Sequence, residues 1–358
     1  DRPCERTALC REVYVGVIGM EMKTYKGLDA EVWATGLCSG CGACVAVCPA
    51  DALRFAPGNT DAPVNIGYCK AENDSVPCGA CYAACPRVNL AGQGKMLGPY
   101  QEIVAARSVF PVERKQSGGA VTAILVNALD EGLIDAVVTV TRDPWTMKPS
   151  SAVITSSEAL VQHAGSRYSW WVPLLASLKE AVVTRKYRRI AVVGVPCVAR
   201  ATQMIRTSDH ELLRPYAKAI RLVIGLFCTE TFDYAKLVEG RLQSDRKIEP
   251  WEIRRLDIKG KMDVYLQDER QISIPLADLE GSVRPGCHVC TDFTALSADV
   301  SAGAVGSPDG YTTLVIRNDI GRGFVDRAVW QGKLSTGGSV DLAAVERLAA
   351  KKAERRAE

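Results

Sequence analysis

The chain has 358 residues, 47% of them hydrophobic and 24% charged, with a net charge of +3 and fourteen cysteines. These ordinary globular values exclude disorder and fibrous repeats, and the scattered basic residues give no electrostatic footprint for nucleic acid. The longest nearly unbroken apolar run, Ile190 to Ala199, is about half of what a bilayer requires, so no membrane span is expected.

Residues 1–30 read as an N-terminal extension. Its Cys4 and Cys10 have no partner motif and are read as loose thiols. No cationic-then-apolar leader is seen, from which a cytoplasmic location is expected. Disulfides suit small secreted domains without a sufficient core, so the tight cysteine runs that follow point to metal ligation.

Residues 31–95 form a small module. The run Cys38-x2-Cys41-x2-Cys44-x3-Cys48-Pro49 matches the bacterial ferredoxin pattern without a gap. Three thiols two residues apart sit on one loop, where Gly40, Gly42 and Ala43 let backbone amides approach cluster sulfur. In two-cluster ferredoxins the fourth cysteine serves the other cluster, so a second run is required. Cys69, Cys78, Cys81 and Cys85-Pro86 supply it, with eight residues between Cys69 and Cys78 implying an inserted loop. The crossover rule predicts one [4Fe–4S] cluster on Cys38, Cys41, Cys44 and Cys85, and another on Cys48, Cys69, Cys78 and Cys81. Structural zinc, which prefers separated Cys-x2-Cys pairs, fits the triple run poorly.

A glycine-rich linker, Leu90 to Pro99, leads to a larger domain over residues 96–340. Strands are predicted over 102–109, 136–141, 190–195 and 220–227, and helices over 119–131, 172–184, 197–206 and 232–242. The alternation predicts an α/β domain with a mixed sheet, then an irregular stretch to about Asn318. Ligands gather at the carboxyl ends of such strands. Two strands end at Pro196-Cys197 and at Cys228, and Cys287-x2-Cys290 adds two more thiols in a Pro-Gly turn. Singly, Cys197 and Cys228 are more often buried small hydrophobes than ligands, but together with the Cys-x2-Cys they suggest a third [4Fe–4S] site. His288 is read as a neighbour and not a ligand. Ser117, Gly118 and Gly119 open a helix whose free amides favour a phosphate, the alternative being a plain glycine turn with a helix cap. Gly165 to Ser169 adds hydroxyls and the cation Arg167. No G-x-G-x-x-G follows a predicted strand, which disfavours a nicotinamide dehydrogenase. Residues 341–358 form a basic amphipathic helix, whose Lys351, Lys352, Arg355 and Arg356 are read as a solvated face, with a partner subunit as the alternative.

In order along the chain, Gln116-Ser117-Gly118-Gly119-Ala120-Val121-Thr122, Gly165-Ser166-Arg167-Tyr168-Ser169, Gly194-Val195-Pro196-Cys197, Cys287-x2-Cys290 and Gly306-Ser307-Pro308-Asp309-Gly310-Tyr311-Thr312-Thr313 resemble the coenzyme F420 hydrogenase/dehydrogenase beta-subunit family. The resemblance covers about residues 98 to 345. It implies one FAD, a cluster held by Cys197, Cys228, Cys287 and Cys290, and a deazaflavin bound against the flavin. Ser117, Gly118, Gly119, Thr122, Gly165, Ser166, Arg167, Tyr168, Ser169 and Pro196 are the implied cofactor contacts, and no acid–base residue is required. The implied activity is hydride exchange between coenzyme F420 and FAD, with single electrons passing through three [4Fe–4S] clusters. The fused ferredoxin module is similar to the input subunit of F420H2 dehydrogenases. Implied partners are subunits of a formate dehydrogenase, hydrogenase, heterodisulfide reductase or membrane F420H2 dehydrogenase, the last placing the chain on the cytoplasmic side of a membrane complex. Rival readings are a same-scaffold reductase of another acceptor, as in chlorophyll-type reductases, and a non-catalytic electron relay.

Overall fold

The computed structural model describes residues 23–56, 61–88, 96–170 and 173–354. Cys4, Cys10, Arg355 and Arg356 lie outside the described residues, as does most of the linker.

The larger domain is built on an eight-stranded mixed sheet. In chain order its strands are β1 (Glu102–Ser108), β2 (Ala136–Arg142), β3 (Pro149–Ile154), β4 (Ile190–Gly194), β5 (Ile220–Leu226), β6 (Val300–Gly303), β7 (Thr312–Ile316) and β8 (Leu334–Thr336). Their spatial order is β8-β1-β7-β6-β5-β4-β2-β3. The four strands β6, β5, β4 and β2 run parallel, and each strand beyond them on either side pairs antiparallel with its inner neighbour, so that β1 runs in the same direction as the four. The parallel strands are nearly continuous apolar runs because both faces are covered. Ile190 and Val192 of β4 enter one core, and Ala191 and Val193 the other. The first core receives helix α2 (Pro196–Thr207) and the second receives α1 (Ala120–Asp130) and α3 (Asp319–Trp330).

The stretch expected to be irregular is not so. Between β5 and β6 the strands Ile253–Ile258, Lys261–Leu266 and Gln271–Pro275 form an antiparallel sheet over its own core, in which Met262, Val264, Leu266 and Ile274 are buried. Strands β6 and β7 follow before Asn318. The linear pattern conceals the small sheet because its period-2 alternation is broken by charges such as Asp257 and Asp263, whose carboxylates are held by the fold. The helix expected to open at Phe232 opens instead after a two-residue strand, Phe232–Asp233, and runs over Ala235–Ser244.

The cysteine-rich module carries short helices Ala43–Val47 and Ala80–Ala83 and the hairpin Leu53–Arg54 with Val64–Asn65. The expected inserted loop is there, partly wound into a helix at Lys70–Asp74 and anchored by the Lys26–Glu72 ion pair at 2.6 Å. The module does not hang from its linker. Ala43, Ala46 and Val47 share one core with Leu174, Leu175 and Val198 of the larger domain. Leu175 N–H donates to the Cys41 carbonyl at 3.0 Å, and the Tyr216 hydroxyl donates to the Ala46 carbonyl at 3.0 Å. Among the described residues no helix is long and apolar enough to cross a membrane.

Candidate electron-transfer site

The twelve cysteines from Cys38 to Cys290 are free thiols, six of them buried and six partly so. They assemble in three groups. Around Cys44 the neighbouring sulfurs acting most strongly are Cys85, Cys38 and Cys41, and burial pushes this thiol well up. Cys85 is pushed up to about 12 by burial and then by Cys41. Cys81 is likewise pushed up to about 12 by burial, then by Cys48, Cys78 and Cys69. The two groups are those that the crossover rule pairs. Backbone amides reach sulfur as the small residues allow, Gly40 N–H to Cys38 at 3.4 Å and Ala52 N–H to Cys48 at 3.3 Å. Cys48, Cys69, Cys78 and Cys81 line a pocket of about 350 Å³ together with Tyr25, Pro49 and Leu53.

The third group forms where the strand ends of the large domain meet the turn at Pro285. Strand β4 ends at Gly194, Val195 stays extended, and Pro196 takes the first helical position of α2, where its missing N–H costs nothing. Cys197 thus sits on the first turn of α2. After β5, Phe227 N–H donates to Ala302 at 2.8 Å and Cys228 N–H to Phe293 at 3.0 Å. Arg284 N–H donates to Thr231 at 3.0 Å, and Cys290 N–H to Cys287 at 3.1 Å, so the two loops are stitched together. Cys197 and Cys228 are both pushed up by burial, Cys228 to about 12, and each is next to Cys287 and Cys290. His288 points away, half-exposed near Glu280.

Both cations and acids border this group, Arg87 and Lys352 beside Cys290, with Asp292 near Cys290 and Glu230 near Cys228. Arg87, 5% exposed and immediately after Cys85-Pro86, donates to the Gly286 carbonyl at 2.8 Å while its Nε is buried without a partner. Burial opposes its charge, but Cys290, Cys197 and Cys287 outweigh burial and raise its pKa. Burial pushes Cys290 up, yet Lys352 and Arg87 outweigh it and hold this thiol below its ordinary value. Arg87, Pro196, Cys197, Arg200, Cys290 and Asp292 line a second pocket of about 230 Å³. An orphaned buried guanidinium atom beside three of the four thiols fits a group of net negative charge, which is what a thiolate-bound [4Fe–4S] cluster carries. Among the described residues no three His, Cys, Asp or Glu side chains converge closely enough to hold a single metal ion. A four-iron cube is gripped at its corners, so its ligands need not converge on one point.

Lys352 corrects an expectation. It is not on a solvated face: it is 3% exposed, and its ammonium donates to the carbonyls of Cys228 and Asp292 at 2.5 and 2.7 Å. Lys351 does face solvent.

The first and third groups touch through the main chain. A Cβ added to Gly286 would lie 2.2 Å from the Cys38 carbonyl oxygen, so only glycine permits this approach. Cys41 is the strongest sulfur neighbour of Cys197.

The glycine-serine segments lie along the same sheet edge, since β1 and the parallel strands point the same way. Gly119 caps α1 in the left-handed conformation, φ 74°, and no side chain caps this helix end. Gly118 is wedged between β1 and β7, where a Cβ would lie 2.4 Å from the Ala106 carbonyl oxygen. Its amide is not free as expected, because it donates to Thr312 Oγ1 at 3.0 Å, and Ser117 Oγ also meets Thr312 at 2.9 Å. The amides left for an anion are those that follow, from Gly119 to Thr122. Gly165 closes over the Arg114 carbonyl, which a Cβ would meet at 2.5 Å. Arg167 folds back onto its own loop, donating to the carbonyls of Ser166 and His163 at 3.1 Å, with Nε buried and unpartnered. Burial lowers its pKa to about 10, aided by Arg142 and Arg114. The latter two were not singled out from sequence, because the cluster forms only when the end of β2 meets two loops. Burial also pushes the Tyr168 phenol up, with Asp257 next to it. Ser169 is buried and pairs with Phe232. Gln116 hydrogen-bonds Asp257, which joins this edge to the small antiparallel sheet.

Comparison with known proteins shows what the chain is similar to. Family profiles described as "Coenzyme F420 hydrogenase/dehydrogenase, beta subunit" match at residues 103–179 for its N-terminal part and 187–341 for its C-terminal part. A "4Fe-4S dicluster domain" profile matches residues 37–89. The chain is 32% identical to one subunit of the F420H2 dehydrogenase of Methanosarcina mazei, over 83% of this chain and 84% of that protein. It is 34% identical to the beta subunit of the coenzyme F420 hydrogenase of Methanothermobacter thermautotrophicus, over 73% and 94%. Among solved structures it resembles a chain of the F420-reducing [NiFe] hydrogenase complex from Methanosarcina barkeri, with TM-score 0.68 and 31% identity over 74% of this chain and 92% of that one.

Proposed function

The chain belongs to the coenzyme F420 hydrogenase/dehydrogenase beta-subunit family, and from that membership we propose that it exchanges hydride between coenzyme F420 and a bound FAD and relays single electrons to or from a partner subunit through three [4Fe–4S] clusters. The observation that carries the reading is the unbroken line of thiols: the group at Cys197, Cys228, Cys287 and Cys290 abuts the group at Cys38, Cys41, Cys44 and Cys85, with Gly286 against the Cys38 carbonyl. The ferredoxin module is thereby packed as the outlet of the large domain.

FAD, when bound, takes electrons in pairs from a hydride donor and gives them singly to iron–sulfur centres. The chain's own residues supply position and field. Amides from Gly119 to Thr122 at the start of α1, kept open by the left-handed Gly119, favour a phosphate group. Thr312 locks Ser117 and Gly118 so that this opening is rigid. Arg167, with Arg114 and Arg142 beside it, provides positive charge at the Gly165 to Ser169 loop, where an anionic ligand offsets their mutual repulsion. Ser166, Tyr168, Ser169 and Pro196 shape the remainder of that edge, and hydride transfer there requires orientation and no protein acid or base.

Cys69 and Cys78 are the partly exposed members of the outer group, so electrons pass to or from the partner subunit on that side. The test is anaerobic mixing of the purified holoprotein with reduced coenzyme F420, following deazaflavin, flavin and cluster absorbance together. Oxidation of the deazaflavin with cluster bleaching is expected. A protein that binds flavin yet exchanges nothing with coenzyme F420 would reduce the role to relay, and metal analysis should give about twelve irons per chain, four for each cluster.

A further inference from the structure

The C-terminal helix α4, Leu342–Glu354, buries Val345, Ala349 and Lys352, one stripe at spacings of four and three. Val345 and Ala349 pack in an apolar cluster with Leu97 and Phe293. The third position of the stripe is filled by a cation where the pattern asks for a hydrophobe. Among the described residues the hydrogen-bond acceptors of its ammonium are two neutral carbonyls, those of Cys228 and Asp292. The Asp292 carboxylate is turned to the Leu296 N–H, at 3.0 and 3.3 Å from its two oxygens, and the Cys228 and Cys290 sulfurs act on the ammonium ahead of it. Both carbonyls belong to segments that carry thiols of the third group, Cys228 itself and Cys290 two residues before Asp292. A buried ammonium whose hydrogen bonds go to carbonyl dipoles alone is poorly compensated. A net-negative cluster on the adjoining sulfurs would compensate it.

We propose that Lys352 is a positioning residue that holds a fixed positive charge against the third cluster and so raises that cluster's reduction potential, favouring passage of electrons away from the flavin. The inference rests on the reading that Cys197, Cys228, Cys287 and Cys290 bind a [4Fe–4S] cluster. Reduction adds one electron to the cluster, makes it more negative and breaks no bond. The ammonium keeps its proton, so its field favours the reduced form by simple Coulomb attraction. α4 thus acts as a strap that carries charge to the site from the far end of the chain.

The test is potentiometric titration of the full-length holoprotein, with dithionite as reductant and electron paramagnetic resonance as readout, on wild type, Lys352→Met, Lys352→Arg and the exposed control Lys351→Met. Iron content is measured in parallel. Lys352→Met should shift the one-electron equilibrium of a single cluster at least tenfold toward the oxidised form, a fall of about 59 mV for a one-electron couple. Lys352→Arg and Lys351→Met should stay at the wild-type potential. An unchanged potential in Lys352→Met, or an equal fall in Lys352→Arg, overturns the proposal. Should Lys352→Met lose the third cluster, Lys352→Arg decides: three clusters at native potentials support a role for the charge, and loss in both variants overturns it. A wild type with only about eight irons, four for each of two clusters, would instead sink the third cluster itself, which is seen before any variant is made.

Discussion

The Gly286→Ala substitution tests the junction on which the electron route depends. The added Cβ would stand 2.2 Å from the Cys38 carbonyl oxygen, 2.7 Å from its carbon and 3.0 Å from the Leu37 carbonyl oxygen. All three are backbone atoms, so no rotamer change relieves the overlap, and ordinary contact begins only near 3.4 Å. The turn at Pro285 and the Cys38 loop must therefore part by about 1 Å, an overpacking strain costing about 1–3 kcal/mol. The same movement pulls the Gly286 carbonyl from the Arg87 guanidinium, now 2.8 Å away. Hydride transfer into the large domain is untouched by this geometry, whereas electron tunnelling between the third and first thiol groups falls steeply with distance. In stopped-flow mixing with reduced coenzyme F420, flavin reduction should keep its wild-type rate while bleaching of the ferredoxin-type clusters slows and thermal stability drops. A variant whose clusters bleach at the wild-type rate despite the lost stability would refute the claim that electrons cross at this contact.

Other outcomes follow from the same geometry. Thr312→Val, close in shape, removes the acceptor of the Gly118 amide and should cost about 1–3 kcal/mol and much of the bound flavin, read from melting and from flavin-to-protein absorbance. Cys85→Ser should erase the cluster of Cys38, Cys41 and Cys44 and leave that of Cys69, Cys78 and Cys81, with Cys48→Ser doing the reverse. Identical spectra for the two variants would contradict the crossover pairing. Arg167→Leu relieves burial of a charge whose hydrogen bonds go to backbone carbonyls, so the flavin-free protein should be no less stable, while flavin affinity falls at least tenfold by fluorescence titration.

How much of this was legible depended on whether the signal was local. The ferredoxin run is local: the spacing of Cys38 to Cys48 fixes one loop and one helix turn, and Gly40 supplies the amide that meets sulfur. The buried parallel strands were legible for the same reason, since Ile190 to Gly194 and Leu222 to Leu226 are apolar on both faces whatever else surrounds them. The small sheet over 253–275 was not, because Asp257 and Asp263 interrupt its alternation and are satisfied by Gln116 and Ser273, partners that the linear pattern does not reveal. The arginines around Gly165 were half legible: Arg167 lies in its motif, but Arg114 and Arg142 come from a loop and a strand end far apart in the chain.

Lys352 is the instructive failure. A lysine in a basic tail reads as solvated, and Lys351 beside it is. What distinguishes the two is register: Val345, Ala349 and Lys352 fall on one helix face and Lys351 does not. Counting charge in the tail averages over that difference, whereas following the apolar stripe would have put a cation inside. A buried cation implies a buried anion, and no acidic side chain is among its hydrogen-bond partners. Asp292 supplies part of that charge, and a cluster on the thiol group that α4 covers would supply the rest, so the misfit lysine and the four separate cysteines, each weak evidence alone, account for one another.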